Sequence, residues 1–328
     1  MSEPAASIGN FWRGLAARWQ RFFHARIDGR RLALVRIGFA LVMLMNFAIL
    51  YPDLDTWYGE DGLYPAEAAA SRTLPQQWSV LRFISPQDPE AEAWLHGLYW
   101  LTIASAGLLL VGLLSRLNAL VLFVMLVSFQ NRNPLILDGE DTVMRLVGFH
   151  LLLMKSGCAW SIDSFLARRF AARSPDACPL ASAWPLRLLQ LQMVVIFVAA
   201  ALFKLGGRAW IEGTALSYVC RLDDTFGRLP VPDFVFETPL LVRLMSWSAI
   251  AVELIAPLLL WFKETRRTAL VVIVLFHLAN EYTMALFLFH WIMLVGWSSF
   301  LTSYDLPYSL PSVLRGEGFG EGLKREKI

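Results

Sequence analysis

The stretch MVVIFVAAALFKLGGRAWIEG (193–213) carries an apolar run into a lysine, then two glycines, then Trp-Ile-Glu-Gly. The whole apolar segment, 184–205, is long enough to cross a bilayer, which takes about 20 mostly apolar residues. Composition decides between a membrane span and a buried core helix. Of the 328 residues, 56% are hydrophobic, and mean hydropathy is +0.50. Soluble domains stay at about 45–50% apolar. The 13 Trp and 22 Phe suit the membrane–water interface, where aromatic rings collect. The fold class that follows is an all-α integral membrane protein.

Working outward from 184–205, comparable runs occur at 32–51, 94–114, 117–130, 142–158, 240–262, 268–284 and 285–302. The last two form one long stretch, divided at the polar cluster His277-Leu-Ala-Asn-Glu-Tyr-Thr283. The expectation is a bundle of about eight transmembrane helices with both termini cytoplasmic. Under that assignment most Lys and Arg fall on the side of the N-terminus, the 115–116 turn, 155–187, 263–267 and the tail. The positive-inside rule predicts such a bias. The opposite face would carry the acidic, aromatic loop 52–93, the loop 131–141 and the Gly- and Pro-rich segment 206–239. Loops on a rigid scaffold are where function concentrates.

Three regions are expected: a cytoplasmic amphipathic segment at 1–30, the multi-span domain at 31–302, and a flexible cytoplasmic tail at 303–328. In 11–28, FWRGLAARWQRFFHARID interleaves aromatic residues with arginines. It is either a helix lying on an anionic membrane face or a plain cytoplasmic stop signal. No cleavable signal peptide is evident. Cys158 and Cys178 fall on the reducing side and Cys220 on the other, so no disulfide is expected. Cysteine spacing matches no metal motif, and no metal is expected. HExxH, GxSxG, P-loop and dinucleotide fingerprints are all absent.

Ionisable residues inside spans cost a few kcal/mol on insertion scales, and they mark sites or buried pairs. Lys204 ends its span. It either snorkels to water or is a desolvated amine able to act as a base. Gly206 and Gly207 end the helix and leave room beside it. Glu212 offers a partner for Lys204, Arg208 or Arg145. Asp141 and Arg145, four apart, read as helix support or as groups that position a ligand. Glu253 lies mid-span, so it is either protonated or paired with a polar group in the bundle. His277 and Glu281 share a helix face, with Asn280 between them. His150 and His290 read as core histidines.

Four stretches carry a resemblance to the horizontally transferred transmembrane helix family, to which the vitamin K-dependent γ-carboxylase belongs. They are RRLALVRIGFALVMLMNFAILYPDLDTWYGEDGLYP (30–65), RNPLILDGEDTVMRL (132–146) with AWSID (159–163), ALFKLGGRAWIEG (201–213) and HLANEYTMALFLFHWIML (277–294). Together they span about residues 28–302. The third resembles the carboxylase stretch Lys-Lys-Leu-Asp-Ala-Asp-Trp-Val-Glu-Gly, whose second lysine is the base that deprotonates reduced vitamin K. The resemblance puts Lys204 in that role, with Trp210 and Glu212 as the Trp and Glu that follow. It implies a reduced quinone of the vitamin K hydroquinone or menaquinol type as cofactor, with dioxygen and carbon dioxide as co-substrates.

The chain departs from that pattern in three places. Phe203 replaces the first lysine, and the spacing from Lys204 to Trp210 is one residue longer. Glu140-Asp141-Thr142 stands where the carboxylase has Asn-His-Ser, whose histidine is tied to carbon dioxide addition. The expected activity is therefore quinol epoxidation coupled to carboxylation, or to another modification, of a peptide or small substrate on the outer face. The expected setting is a bacterial inner membrane, with lipids and quinone as partners and no nucleic acid. Two further readings stand beside it. One is a non-enzymatic membrane partner or maturation factor for a secreted peptide. The other is a proton-coupled transporter.

Overall fold

The computed structural model describes residues 3–72, 77–85, 87–170, 180–221 and 227–306. The first helices are α1 Glu3–His24, α2 Arg30–Leu50, α3 Leu54–Tyr58 and α4 Ala66–Arg72. Then come α5 Ala91–Val111, α6 Ser115–Arg132, α7 Gly139–Leu153, α8 Ile162–Phe170 and α9 Trp184–Leu205. Three short helices follow, α10 Arg208–Ile211, α11 Ala215–Val219 and α12 Asp233–Glu237. The last are α13 Pro239–Leu259, α14 Arg266–Thr283 and α15 Phe289–Ser298. Two strands, β1 Arg26–Asp28 and β2 Leu180–Ser182, pair antiparallel. This small clip between the end of α1 and the start of α9 qualifies the all-α expectation.

Each of the eight apolar stretches carries a helix. Among the described residues, four segments are long and apolar enough to cross a membrane: Arg30–Tyr58, Ala91–Val111, Trp184–Leu205 and Pro239–Leu259. Boundaries move in the others. The helix expected over 142–158 starts at Gly139, capped by Asp138 and Asp141 in a capping box, and stops at Leu153. The polar cluster 277–283 is helical, and the break between α14 and α15 falls just after it. The tail expected over 303–328 and Cys178 lie largely or wholly outside the described residues, while Cys158 is a free thiol.

The bundle has two halves. In one, α2 packs on α5, α5 on α6, and α6 on α7. In the other, α9 packs on α13, and α13 on α14. The short α15 joins them, touching α2, α7, α9 and α14. Its residues Ile292, Met293 and Trp297 are fully buried. Gly296 lets Met193 of α9 lie against the backbone, since a Cβ there would sit 2.3 Å from the Met193 sulfur. Helices that approach this closely gain dispersion contacts, the main attraction between apolar helices in lipid.

Arg36, in the second turn of α2, is completely buried. Its guanidinium donates to the carbonyls of Ser156, Ala159 and Trp160 at 2.5–3.2 Å. These carbonyls lie in the connection from α7 to α8, where no helix ladder satisfies them. Asp163 completes the knot by accepting from the Leu114 and Ser115 amides at the α5–α6 turn. Gly112 in that turn has φ +70, and a Cβ would strike Ser161 at 2.4 Å. Arg36→Met keeps the apolar stem and strips three buried carbonyls of their donor. Each orphaned group costs about 1–3 kcal/mol, so thermal unfolding in detergent should show a loss of several kcal/mol.

Candidate functional site

Lys204 lies one residue before the end of α9. Its Nζ donates to both carboxylate oxygens of Glu253, at 2.7 and 2.8 Å. The Trp210 ring lies over the same nitrogen, 5.3 Å from centroid to Nζ. The ammonium is thus held between a carboxylate and an aromatic face, two favourable settings for a cation. The Glu253 side chain is only 7% exposed and that of Lys204 22%. Of the two expectations for mid-span Glu253, a protonated group or a polar pair, the structure shows the pair, with Lys204 as the partner. Glu212 instead pairs with Arg208 on the surface.

The local fold explains how an end-of-helix lysine reaches a mid-helix glutamate. α9 stops part-way along α13, and α10 and α11 continue beside its Pro239 half. The Leu216 amide donates to Ser246 Oγ, and the Trp247 indole to the Ile211 carbonyl. Gly206 and Gly207 end α9 as expected, both with negative φ. The demanding one is Gly213, with φ +74 and a virtual Cβ 2.4 Å from the Arg243 side chain. Only glycine adopts that conformation at no steric cost. Pro257 lies within α13, one turn beyond Glu253.

Asp141 and Arg145 make no direct pair among the described ion pairs. Gln130 stands between them. Its amide donates to Asp141 Oδ1 at 2.8 Å, and Arg145 Nε donates to its carbonyl. The second Asp141 oxygen accepts the Asp138 amide and caps α7. Both expected roles, helix support and positioning, therefore pass through a residue of α6. Gln130 and Asp141 line a cavity of about 260 Å³ together with Asn46, Tyr58, Glu140 and Phe287.

His277 and His290 meet with Nδ1 atoms 3.1 Å apart, both buried. One must donate and the other accept, which fixes opposite tautomers when both are neutral. Phe197 of α9 packs on His277 and Trp297. Glu281, one turn from His277, is ion-paired with Arg228. His277 Nε2, His290 Nε2, Glu281 Oε2 and the Trp297 indole nitrogen are buried and have no hydrogen-bond partner among the described residues. With Nε2 unpartnered among the described residues, His290 is not the satisfied core histidine expected, whereas His150 donates from Nδ1 to the Leu146 carbonyl oxygen at 2.7 Å. Asn280 contributes its carbonyl, which accepts the Met284 amide at 2.7 Å and ends α14.

Sequence reasoning passed over Gln130, Glu140, Arg228 and the pairing role of His290. Gln130 did carry a signal, a polar residue closing an apolar run. Arg228 carried none, because its partner is 53 residues away. The residues singled out fall into three groups: Lys204 with Glu253 and Trp210, Asp141 with Arg145, and His277 with Glu281. Phe287 and Phe289 bring the second near the third, the Phe289 ring lying 3.5 Å from the position of a Cβ on Gly139. If the buried pair is the main tie between α9 and α13, Lys204→Met leaves Glu253 uncompensated and lowers stability by about 3 kcal/mol or more. The double variant Lys204→Met, Glu253→Met recovers most of that loss, and a double-mutant cycle of thermal unfolding reads the coupling.

No solved structure matches the chain. The model of the HTTM domain matches residues 24–304, which takes in α2, every apolar helix after it and all three groups of residues above. With that match over most of its length, the chain belongs to the HTTM domain family.

Proposed function

We propose that the chain is a multi-pass membrane enzyme that oxidises a reduced quinone, with Lys204 as the base. The HTTM domain is the family of vitamin K-dependent carboxylase-related proteins. Eight helices would cross the membrane with both termini cytoplasmic, and α1 would lie along the inner face of a bacterial inner membrane. Four of these helices are long and apolar enough to cross, and the distribution of Lys and Arg favours that orientation.

The observation that carries the reading is the Lys204 nitrogen, bound by both Glu253 oxygens under the Trp210 ring. Two opposite charges in an apolar bundle lose their hydration together, and their attraction does not always make up the difference. Passing the shared proton to Glu253 removes both charges and leaves an amine with a free lone pair. That amine takes a hydroxyl proton from the hydroquinone. The quinolate then reacts with dioxygen and ends as the epoxide plus water. The strong base formed on the way abstracts a C–H proton from a peptide or small substrate. In the version closest to the carboxylase, the resulting carbanion adds carbon dioxide. Glu140, Asp141 and Thr142 occupy the place of the histidine tied to that last step, so modification other than carboxylation fits the same front half of the reaction.

A second reading has its own support. The ion pair by itself explains both charges, as a clamp between α9 and α13, and Lys204 keeps part of its side chain exposed. On that view the protein is a non-enzymatic membrane partner or a maturation factor for a secreted peptide.

Two measurements separate the readings. Protein extracted with native lipids should contain a bound quinone, identified by mass spectrometry. In a quinol-dependent assay, Lys204→Ala should lose at least ~100-fold in turnover, the lower range for removing a general base. Full activity in the alanine variant overturns the enzymatic reading.

A further inference from the structure

A second cluster of chemistry lies away from Lys204, where the segment after α2 meets the start of α5. Glu92 and His96 are one turn apart on α5 and so share a face. Asp55 of α3 approaches from the other side, its Oδ1 2.9 Å from His96 Nε2. One ligand atom from each of the three can be chosen so that all lie within 4.8 Å of one another. Neighbouring donors of a tetrahedral ion, at bonds of about 2.1 Å, stand about 3.4 Å apart. Rotation of the exposed Asp55 and Glu92 side chains closes that difference.

The His96 ring and the α3 backbone are held. The Tyr51 ring packs edge-on against the His96 imidazole at 6.2 Å. The Gly59 amide donates to the Asp55 carbonyl at 2.9 Å, and the Leu63 amide to the Thr56 carbonyl at 2.8 Å, folding the following loop back over α3. The electrostatics point the same way. Asp55 and Glu92 line a cavity of about 520 Å³ whose wall also carries Glu60, Asp61 and Asp88. The cationic side chain in that wall is Arg132, and its guanidinium donates to the Tyr58 and Tyr64 carbonyls. Among the described ion pairs Glu92 has none. A carboxylate-rich wall with so little compensation attracts a cation.

We infer that Asp55, Glu92 and His96 form a binding site for one divalent transition-metal ion, Zn²⁺ or Mn²⁺, at the mouth of this cavity. The imidazole selects against Ca²⁺ and Mg²⁺, which prefer all-oxygen shells. Three protein ligands leave coordination positions for water or for a carboxylate of a molecule in the cavity. The ion also ties α3 to α5, so binding stabilises the fold by mass action. The inference does not draw on Lys204 or on quinol chemistry.

The test uses the full chain purified in detergent and stripped with a chelator. Calorimetric titration with Zn²⁺ should give one ion per chain, and thermal unfolding should shift upward by several degrees. Mn²⁺ should compete, and Ca²⁺ at the same concentration should not. Because Asp55 and Glu92 are exposed, Glu92→Gln should fold as the parent does without metal. It and His96→Ala should each weaken Zn²⁺ by at least ~100-fold, the upper end of what even outer-shell changes produce. Glu60→Gln should leave affinity within a few-fold. Equal Zn²⁺ affinity in the parent and in a variant lacking all three ligands would mean adventitious binding and overturn the inference. So would the absence of any Zn²⁺ binding.

Discussion

A charge placed among apolar helices must find its counter-charge inside the protein, and this one requirement organises much of the molecule. Water is not at hand to solvate it, so an unpaired ion there costs far more than one on a surface. Lys204 answers Glu253, Arg228 answers Glu281, and Arg36 answers three carbonyls. Each of these bonds joins segments distant in sequence. Hydrophobic burial favours collapse of the helices against one another but is nearly indifferent to their rotation. The polar contacts are directional and select one arrangement.

That selection also gives the two halves of the bundle different characters. Around α2, α5, α6 and α7 the polar groups sit at helix ends and close loops: Asp138 and Asp141 cap, Gln130 bridges, Arg132 and Asn133 gather carbonyls from the segment after α2. Around α9, α13, α14 and α15 they sit inside the helices. There a lysine–glutamate pair and a histidine pair face neighbouring helices directly. The lysine–glutamate and histidine–histidine pairs thus lie in one half, and the loop-closing contacts in the other.

How much of this was legible in the sequence depends on the range of the interaction. Helices follow from runs of apolar residues, a local property, and all eight runs carry one. Glu253 announced its need for a partner by being mid-span, since nothing local satisfies a carboxylate there. The partner itself was not legible, because it depends on how far α9 runs along α13, a tertiary fact. The same holds for Gln130 between Asp141 and Arg145: the spacing of four suggested a direct pair, and a side chain from another helix intervened. Gly213 was overlooked for a related reason. Adjacent glycines 206 and 207 draw the eye, but the positive φ is demanded by the approach of Arg243, which no local pattern encodes.

Pro257 gives the charged region a mechanical property. Proline has no amide hydrogen, so the α13 ladder lacks the rung that would run from residue 257 to the carbonyl of Glu253. The residue that carries the buried carboxylate is also the one whose backbone oxygen is left without its helical donor. Flexing of α13 is cheapest at that point, so bending and ion pairing share a pivot. A tilt of the Leu259 end relative to the Pro239 end would lengthen or shorten the Lys204–Glu253 contact before disturbing any other bond in the helix.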